Sequence, residues 1–169
     1  TGNVSGTMFA GGVCGWNNGT ITNCYNTGNV SGTMFAGGVC GLSQGTVENC
    51  YNKGAVSGTC TGGVCGINYT TVKNCYNTGA VSSTDIVSGS GLYAGGVCGW
   101  NIYGGTIENC YNTGTVSGSG IDNNSYAGGV CGENQDEIIN CYNTGTVSGT
   151  TTGGSNYAGG VCGENQDEI

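Results

Sequence analysis

The sequence predicts an all-β fold, a parallel β-solenoid in which each repeat forms about one three-sided coil. One observation is the pentapeptide Gly-Gly-Val-Cys-Gly, which occurs six times at steps of 25 to 33 residues. The apolar runs between glycines are short and β-branched, and no stretch has the 3.6-residue period of a helix. Repeats of this length are typical of solenoids and are shorter than a four-stranded propeller blade.

Three recurring elements divide the chain into repeats. The pentapeptide places its cysteine at Cys14, Cys40, Cys65, Cys98, Cys131 and Cys162. The tetrapeptide Asn-Cys-Tyr-Asn follows five times, at Cys24, Cys50, Cys75, Cys110 and Cys141. The element Thr/Lys-Gly-x-Val-Ser places its valine at Val4, Val30, Val56, Val81, Val116 and Val147. We therefore expect a single tandem-repeat solenoid over residues 1–169, with repeats at approximately 1–26, 27–52, 53–77, 78–112, 113–143 and 144–169. The last repeat breaks off before its tetrapeptide, so we expect an excerpt of a longer chain.

Each repeat offers three strand-like pieces, which in residues 10–33 centre on Val13–Cys14, Ile21 and Val30. Strands of successive coils stack about 4.8 Å apart, so six coils predict a column roughly 29 Å tall, right-handed by the usual crossover preference. One inward ladder is expected from Ile21, Val47, Val72, Ile107 and Ile138. A second is expected from Val30, Val56, Val81, Val116 and Val147.

Polar and aromatic positions should form ladders as well. The position after the first inward ladder is variable and typical of a solvated site: Thr22, Glu48, Lys73, Glu108 and Ile139. A side-chain amide ladder is expected at Asn23, Asn49, Asn74, Asn109 and Asn140. An aromatic ladder is expected at Tyr25, Tyr51, Tyr76, Tyr111 and Tyr142. The Gly11–Gly12 pair should turn a sharp corner with positive φ.

Composition excludes several functions. The net charge is −8, charged residues make up 7% of the chain, and arginine and histidine are absent. Binding to nucleic acid or to an anionic membrane needs a basic surface, which this chain lacks. No stretch approaches the ~18 apolar residues of a membrane span. Without histidine no nucleophile–histidine pair can form, and a lyase would need a basic residue, for which only Lys53 and Lys73 are available. We expect no catalytic activity.

The cysteine spacing predicts disulfides within each coil. The two signature cysteines of a repeat are ten or twelve residues apart, whereas the gap to the next repeat varies from 15 to 23. The expected pairs are Cys14–Cys24, Cys40–Cys50, Cys65–Cys75, Cys98–Cys110 and Cys131–Cys141. Each closes a short loop, which stabilises a fold by about 2–3 kcal/mol and requires an oxidising compartment. Axial bridges such as Cys14–Cys40, zinc thiolates and free stacked thiols are the alternatives.

Two cysteines remain unpaired or intermolecular in this scheme, Cys60 and Cys162. Cys162 lacks its partner because the chain ends first. Cys60 stands where Met34 or Phe35 stands in the preceding repeat. It is either a small buried side chain or a bridge to another chain.

Binding residues are expected where repeats carry inserts, at 83–93, 118–126 and 150–157. All three fall before the next Gly-Gly, so they should protrude from one corner. Leu92, Tyr93, Tyr126 and Tyr157 would then form a corner for carbohydrate or protein, or would simply pin the inserts. The acidic run Glu133–Glu137, copied at Glu164–Glu168, offers calcium ligands but lacks the spacing and glycine of known calcium loops. No other cofactor is expected.

The pattern Gly-Gly-Val-Cys-Gly, Gly-Thr-Ile-Thr-Asn-Cys-Tyr-Asn, Gly-Asn-Val-Ser-Gly resembles the GLUG repeat over nearly the whole chain. That repeat occurs in large bacterial surface and secreted proteins, including adhesins and immunoglobulin-A peptidases. The resemblance implies a β-helical stalk on an exported protein, extracellular or at the cell surface, and not the separate peptidase domain. Paired cysteines depart from the family pattern and mark a disulfide-rich variant. The expected partners are further copies of the chain, or host and glycan ligands. An ice-binding face is disfavoured because Glu137 interrupts the threonine column.

Overall fold

The computed structural model describes residues 2–84 and 91–169, and all regular structure in those ranges consists of short β-strands. Every strand pairs in parallel with the equivalent strand of the neighbouring repeat. The strands thereby form five sheets that run along one axis. The predicted all-β parallel solenoid, with one coil per repeat, is confirmed.

The five sheets, numbered I to V in the order in which the chain enters them, have the following strands. Sheet I contains Val4–Gly6, Val30–Gly32, Val56–Gly58, Val81–Thr84, Val116–Ile121 and Val147–Thr152. Sheet II contains Phe9–Gly11, Phe35–Gly37, Cys60–Gly62, Leu92–Gly95, Ser125–Gly128 and Asn156–Gly159. Sheet III contains Cys14–Asn17, Cys40–Ser43, Cys65–Asn68, Cys98–Asn101, Cys131–Asn134 and Cys162–Asn165. Sheet IV contains Thr20–Thr22, Thr46–Glu48, Thr71–Lys73, Thr106–Glu108 and Glu137–Ile139. Sheet V contains Tyr25–Asn26, Tyr51–Asn52, Tyr76–Asn77, Tyr111–Asn112 and Tyr142–Asn143.

A complete coil thus has five strands, so the predicted three strands per coil are wrong. The missed strands belong to sheets II and V, represented by Phe9–Gly11 and Tyr25–Asn26. They are three and two residues long in the first coil. A strand of two or three residues is too short to show the alternation of apolar and polar residues by which strands are recognised in a sequence. These strands are identified only by their hydrogen-bonded pairing with the next coil.

The core contains the predicted apolar ladders. Val47, Val72 and Ile107 are fully buried, and Ile21 and Ile138 nearly so, which confirms the first ladder. The second is confirmed too, buried at Val30, Val56, Val81 and Val116 and half-buried at Val147. A third ladder, which the sequence analysis did not assign inward, consists of Val39, Val64, Val97 and Val130.

The amide ladder is formed by the second asparagine of Asn-Cys-Tyr-Asn, three residues after the predicted position. Asn52 is fully buried: its Nδ2 donates to Asn77 Oδ1 at 2.8 Å, and its Oδ1 accepts from Asn26 Nδ2 at 2.9 Å. The predicted ladder that includes Asn49 is wrong, because that residue is exposed and adopts φ +53°. Asparagine tolerates this left-handed conformation better than most residues. Its equivalents share the conformation: Asn23, Asn74, Asn109 and Asn140.

The Gly-Gly corner depends on close approach. Positive φ at Gly11 and Gly12 was the wrong expectation, because among the described glycines only Gly104 and Gly153 adopt it. A Cβ on Gly12 would lie 2.4 Å from the Gly38 carbonyl oxygen of the next coil. The absence of a side chain therefore allows neighbouring coils to meet at hydrogen-bonding distance.

Two inserts lengthen sheet I. Its strands Val116–Ile121 and Val147–Thr152 have six residues each and pair in register over their full length. The second insert then bonds to the first, because Thr151 Oγ1 donates to the Asn123 carbonyl at 2.7 Å. In the insert at 83–93, residues 85–90 lie outside the described residues.

Candidate functional site

The cysteines form two files along the core. In sheet III the signature cysteines stand opposite one another from coil to coil, as in Cys40 opposite Cys65. The tetrapeptide cysteines form the second file, in which the backbone N–H of Cys50 donates to Cys75 Sγ at 3.4 Å. Both files pack with the valines in one core cluster.

All twelve cysteines are free thiols in the structure. The predicted bridges Cys14–Cys24, Cys40–Cys50, Cys65–Cys75, Cys98–Cys110 and Cys131–Cys141 are therefore not formed. The thiols instead bond to carbonyls two residues away, as Cys40 does to Leu42 at 3.0 Å. Thiol contacts run along the files, for example between Cys50 and Cys75. No covalent link therefore joins the two sides of a coil in this structure. The disulfide pairing of the oxidised protein stays a prediction.

Burial raises the pKa of several thiols in the sheet III file. It raises the pKa of Cys40 to about 12, and it raises the pKa of Cys65 and of Cys131 well above the ordinary value. A thiolate has no water around it in this core, so the neutral form is favoured. Cys162 is half-buried opposite Cys131, and burial raises its pKa to about 12 as well.

Cys60 takes an aromatic position. It is 2% exposed, its thiol donates to the Gly66 carbonyl at 3.3 Å, and it stands opposite Phe35 on one side and Tyr93 on the other. Its surroundings match those expected of a small buried side chain. A bridge from this sulfur to another chain would require the coil to open.

The predicted binding corner is partly assembled. Tyr93, Tyr126 and Tyr157 lie in register in sheet II, with ring centroids 5.2 and 4.9 Å apart and rings within 9° of parallel. Burial, followed by the charge of Glu133, raises the pKa of Tyr93, which keeps this phenol neutral. Leu92 is fully buried and cannot contact a ligand.

A polar notch opens beside this tyrosine stack. Its walls include Tyr93, Asp122, Asn124 and Tyr126, and its volume is about 360 Å³. Asn124 Nδ2 donates to the Tyr126 hydroxyl at 3.1 Å, while Asn124 Oδ1 accepts from the Ser155 N–H at 3.0 Å. The second insert thereby orients an amide and a phenol around one concave surface. The tyrosines were predicted from the sequence, whereas Asp122 and Asn124 were not, because their position at the notch depends on the pairing of the inserts at 118–126 and 150–157.

The acidic runs do not converge. Glu133 is 6% exposed and accepts from Gln135 Nε2 at 2.7 Å, whereas Asp136 accepts from the Gly104 N–H at 2.9 Å. Glu137 belongs to a different sheet, opposite Thr106. Within residues 2–84 and 91–169 no three acidic or cysteine side chains are grouped as metal ligands would be.

Outside the corner, the tyrosine side chains of sheet V repeat from coil to coil. The tyrosine ladder is confirmed: rings from Tyr25 to Tyr142 stack at 4.9 to 5.2 Å, within 8° of parallel. In the solvated column, Lys73 Nζ lies 3.3 Å from Glu48 Oε1. Because the stacked rings cover one another's faces, the ladder offers only edges and hydroxyl groups to a ligand.

Comparison with known families returns one result. The family model described as the GLUG motif matches four segments, 6–31, 57–82, 90–117 and 123–148, which together make up more than half of the chain. Searches of curated proteins and of solved structures give no significant match. In the part of the chain that the structure describes, no helix is long and apolar enough to cross a bilayer.

Proposed function

Because the chain belongs to the GLUG-motif family, we propose that it is a shaft segment of an extracellular bacterial surface protein, an adhesin stalk or filament without catalytic activity. The observation that carries this proposal is the in-register repetition of one coil. Each coil adds the same five strands, the same core valines and the same asparagine bonds. Such an assembly grows in one direction, so repeat number sets its length.

The stack is suited to axial load. Adjacent coils are joined by backbone hydrogen bonds in all five sheets and by the buried amide bonds of sheet V. Separating two coils breaks these bonds together and exposes core valines to water. A net charge of −8 favours solubility of such a column.

Pulling on the two ends tests this proposal. We expect single molecules to unfold in steps that each release about one repeat of chain, at a defined force. Shortening the inserts at 118–126 and 150–157 should leave the force unchanged for the coils before Val81, because the inserts add hydrogen bonds only to the coils that they join. The double variant Asn52→Ala and Asn77→Ala should lower it. Extension without force steps would refute a load-bearing shaft.

The proposed extracellular location is supported by the regular cysteine spacing. In an exported protein we expect the five intra-coil bridges, and peptide mapping of material purified without reductant from the secreted fraction checks them. A Cys14–Cys24 peptide pair would support the prediction. A Cys14–Cys40 pair would show that oxidation follows the files instead. Fully free thiols would contradict an oxidised extracellular shaft.

A second function is favoured by the polar notch beside the stacked rings of Tyr93 and Tyr126. Phenol, amide and carboxylate groups on one concave surface provide the apolar contact and hydrogen bonds that a sugar requires. We expect Asn124→Ala to abolish any glycan-array signal, since it removes both bonds made by that amide. Asn29→Ala, which removes an exposed amide just before the strand Val30–Gly32 and several coils from the notch, is the matched control. A signal that survives Asn124→Ala would exclude this site.

A further inference from the structure

The two cysteine files differ in the hydrogen bonds made by their sulfur atoms. The tetrapeptide file consists of Cys24, Cys50, Cys75, Cys110 and Cys141, and each sulfur after the first accepts from the backbone N–H of the preceding member at 3.3 to 3.4 Å. In the sheet III file the thiols donate to carbonyls, as Cys131 does to Glu133 at 3.0 Å. An N–H donor stabilises negative charge on sulfur, so the tetrapeptide file is the more favourable environment for thiolates.

The tetrapeptide file repeats at the coil spacing. Tyr51 pairs in register with Tyr25 and with Tyr76, so the cysteines that precede these tyrosines are about 4.8 Å apart from coil to coil. A bond between a metal ion and a thiolate is about 2.3 Å long, so two such bonds in line span about 4.6 Å. One ion between successive sulfurs is therefore compatible with the existing strand spacing.

The file offers an ion two ligands in line. Within residues 2–84 and 91–169 no three cysteine or acidic side chains are grouped, and the chain has no histidine. A structural zinc ion takes four ligands, which this arrangement does not supply. Soft monovalent ions such as Cu⁺ and Ag⁺ prefer sulfur and are satisfied by two thiolates.

Charge balance also favours a monovalent ion. Val47, Val72 and Ile107 pack with the file in the core, where an uncompensated charge is costly. When a monovalent ion displaces the proton of one thiol, a metal–sulfur bond replaces the S–H bond and the proton passes to water. The charge of the core is unchanged and no electron is transferred. Five thiols hold enough protons to admit four monovalent ions in this way, but not four divalent ions.

Two members of the file give an ion access to it. Cys24 and Cys141 are half-buried, whereas Cys50, Cys75 and Cys110 are buried. Contact with the Cys110 thiol lowers the pKa of Cys141, so this accessible sulfur loses its proton more readily than an ordinary thiol.

We propose that the tetrapeptide file of the reduced chain binds soft monovalent metal ions, of the class of Cu⁺ and Ag⁺, with one ion in each gap between successive sulfurs. Five sulfurs leave four gaps, and the sulfurs of Cys50, Cys75 and Cys110 each contact two ions. The site belongs to the thiol form of the chain. It lies apart from the polar notch and is independent of the shaft function.

Competition for Cu⁺ measures the capacity of the file. The reduced chain is titrated under anaerobic conditions against the Cu⁺ complex of a chromogenic chelator, and X-ray absorption counts the sulfur neighbours of the bound copper. We expect the chain to withdraw four Cu⁺ ions while its far-ultraviolet circular dichroism is unchanged, with two sulfur neighbours for each copper. Failure to withdraw copper, or three sulfur neighbours for each ion, would overturn the proposal.

Substitutions locate the ions. Cys75→Ala removes the central sulfur and two of the four gaps, so the capacity should fall from four ions to two. Cys65→Ala, a matched change of a buried cysteine in the sheet III file, should leave it at four. Cys141→Ala removes one gap at a half-buried position and should leave three, which keeps the proposal testable if Cys75→Ala does not fold. Equal capacities of Cys65→Ala and the variants of the tetrapeptide file would contradict the assignment.

Discussion

At the scale of single residues, the two asparagines of Asn-Cys-Tyr-Asn have opposite roles. Asn49 is exposed and adopts φ +53°, which places the chain in a tight turn before the strand. Asn52 is buried, donates to the Gly54 carbonyl at 2.7 Å and continues the amide ladder to Asn77 at 2.8 Å. The same amino acid thus serves once for its conformational tolerance and once for its hydrogen-bonding amide.

Substitution separates these roles. Asn52→Ala removes the amide bonds to Asn26 and Asn77 and the two bonds to the Gly54 backbone, all of them buried, so we expect the free energy of unfolding to fall by about 2–4 kcal/mol. Asn49→Gly keeps the left-handed turn available and should change it by less than about 1 kcal/mol. Urea unfolding of both variants measures the difference. Equal losses would show that the buried ladder does not stabilise the coil.

At the scale of strands, sheet V explains why the sequence analysis misplaced the amide ladder. Successive side chains of a strand point to opposite sides, so Tyr25 outward requires Asn26 inward. The sequence analysis did not recognise a strand in Asn-Cys-Tyr-Asn. Without that strand, the sequence did not indicate which of the two asparagines faces the core. The apolar ladders were predictable because Ile21 and Val30 each stand between polar neighbours, an alternation that is visible without coordinates.

The corner shows the same limit. Tyr93, Tyr126 and Tyr157 were assigned to it from their place beside the inserts, and the structure stacks them. Leu92 also lies beside an insert, yet its side chain packs inward. A Cβ on Gly120 would lie 2.3 Å from Leu92 Cδ1, so the absence of a side chain at Gly120 leaves room for it. The direction of a residue at the start of a strand depends on register with the next coil, which one repeat alone does not reveal.

The cysteine files give a pH dependence. Burial raises the pKa of Cys40, Cys65 and Cys131, so these thiols hold their protons in the folded state after the unfolded chain has lost them. Their contribution to stability is complete below about pH 8.5, the ordinary thiol pKa, and declines as pH rises toward the folded value near 12. Each thiol adds a slope of up to about 1.4 kcal/mol per pH unit.

Urea unfolding in reductant at pH 7, 8.5, 9.5 and 10.5 checks this dependence. We expect the free energy of unfolding to fall as the pH rises above about 8.5. Tyrosines also ionise in this range, so Cys65→Ala is the comparison. The fall in its free energy of unfolding should be less steep by up to about 1.4 kcal/mol per pH unit, the contribution of one thiol. Identical slopes in the two proteins would contradict the assignment to buried thiols.

At the scale of the whole molecule, the structure is a column with a repetitive shaft and one varied face. The core and sheet V recur from coil to coil, whereas sheet II changes from phenylalanine through Cys60 to tyrosine along the axis. Variation concentrated on one side of a regular stack is compatible with length set by repeat number and recognition set by local substitutions.

The central claim is that each repeat adds one coil to a column of constant cross-section. Small-angle X-ray scattering of the chain with three additional in-frame copies of residues 53–77 tests it directly. The account predicts a maximum dimension larger by about 14 Å, three coil spacings, with an unchanged cross-sectional radius of gyration. An unchanged maximum dimension, or a wider cross-section, would contradict it.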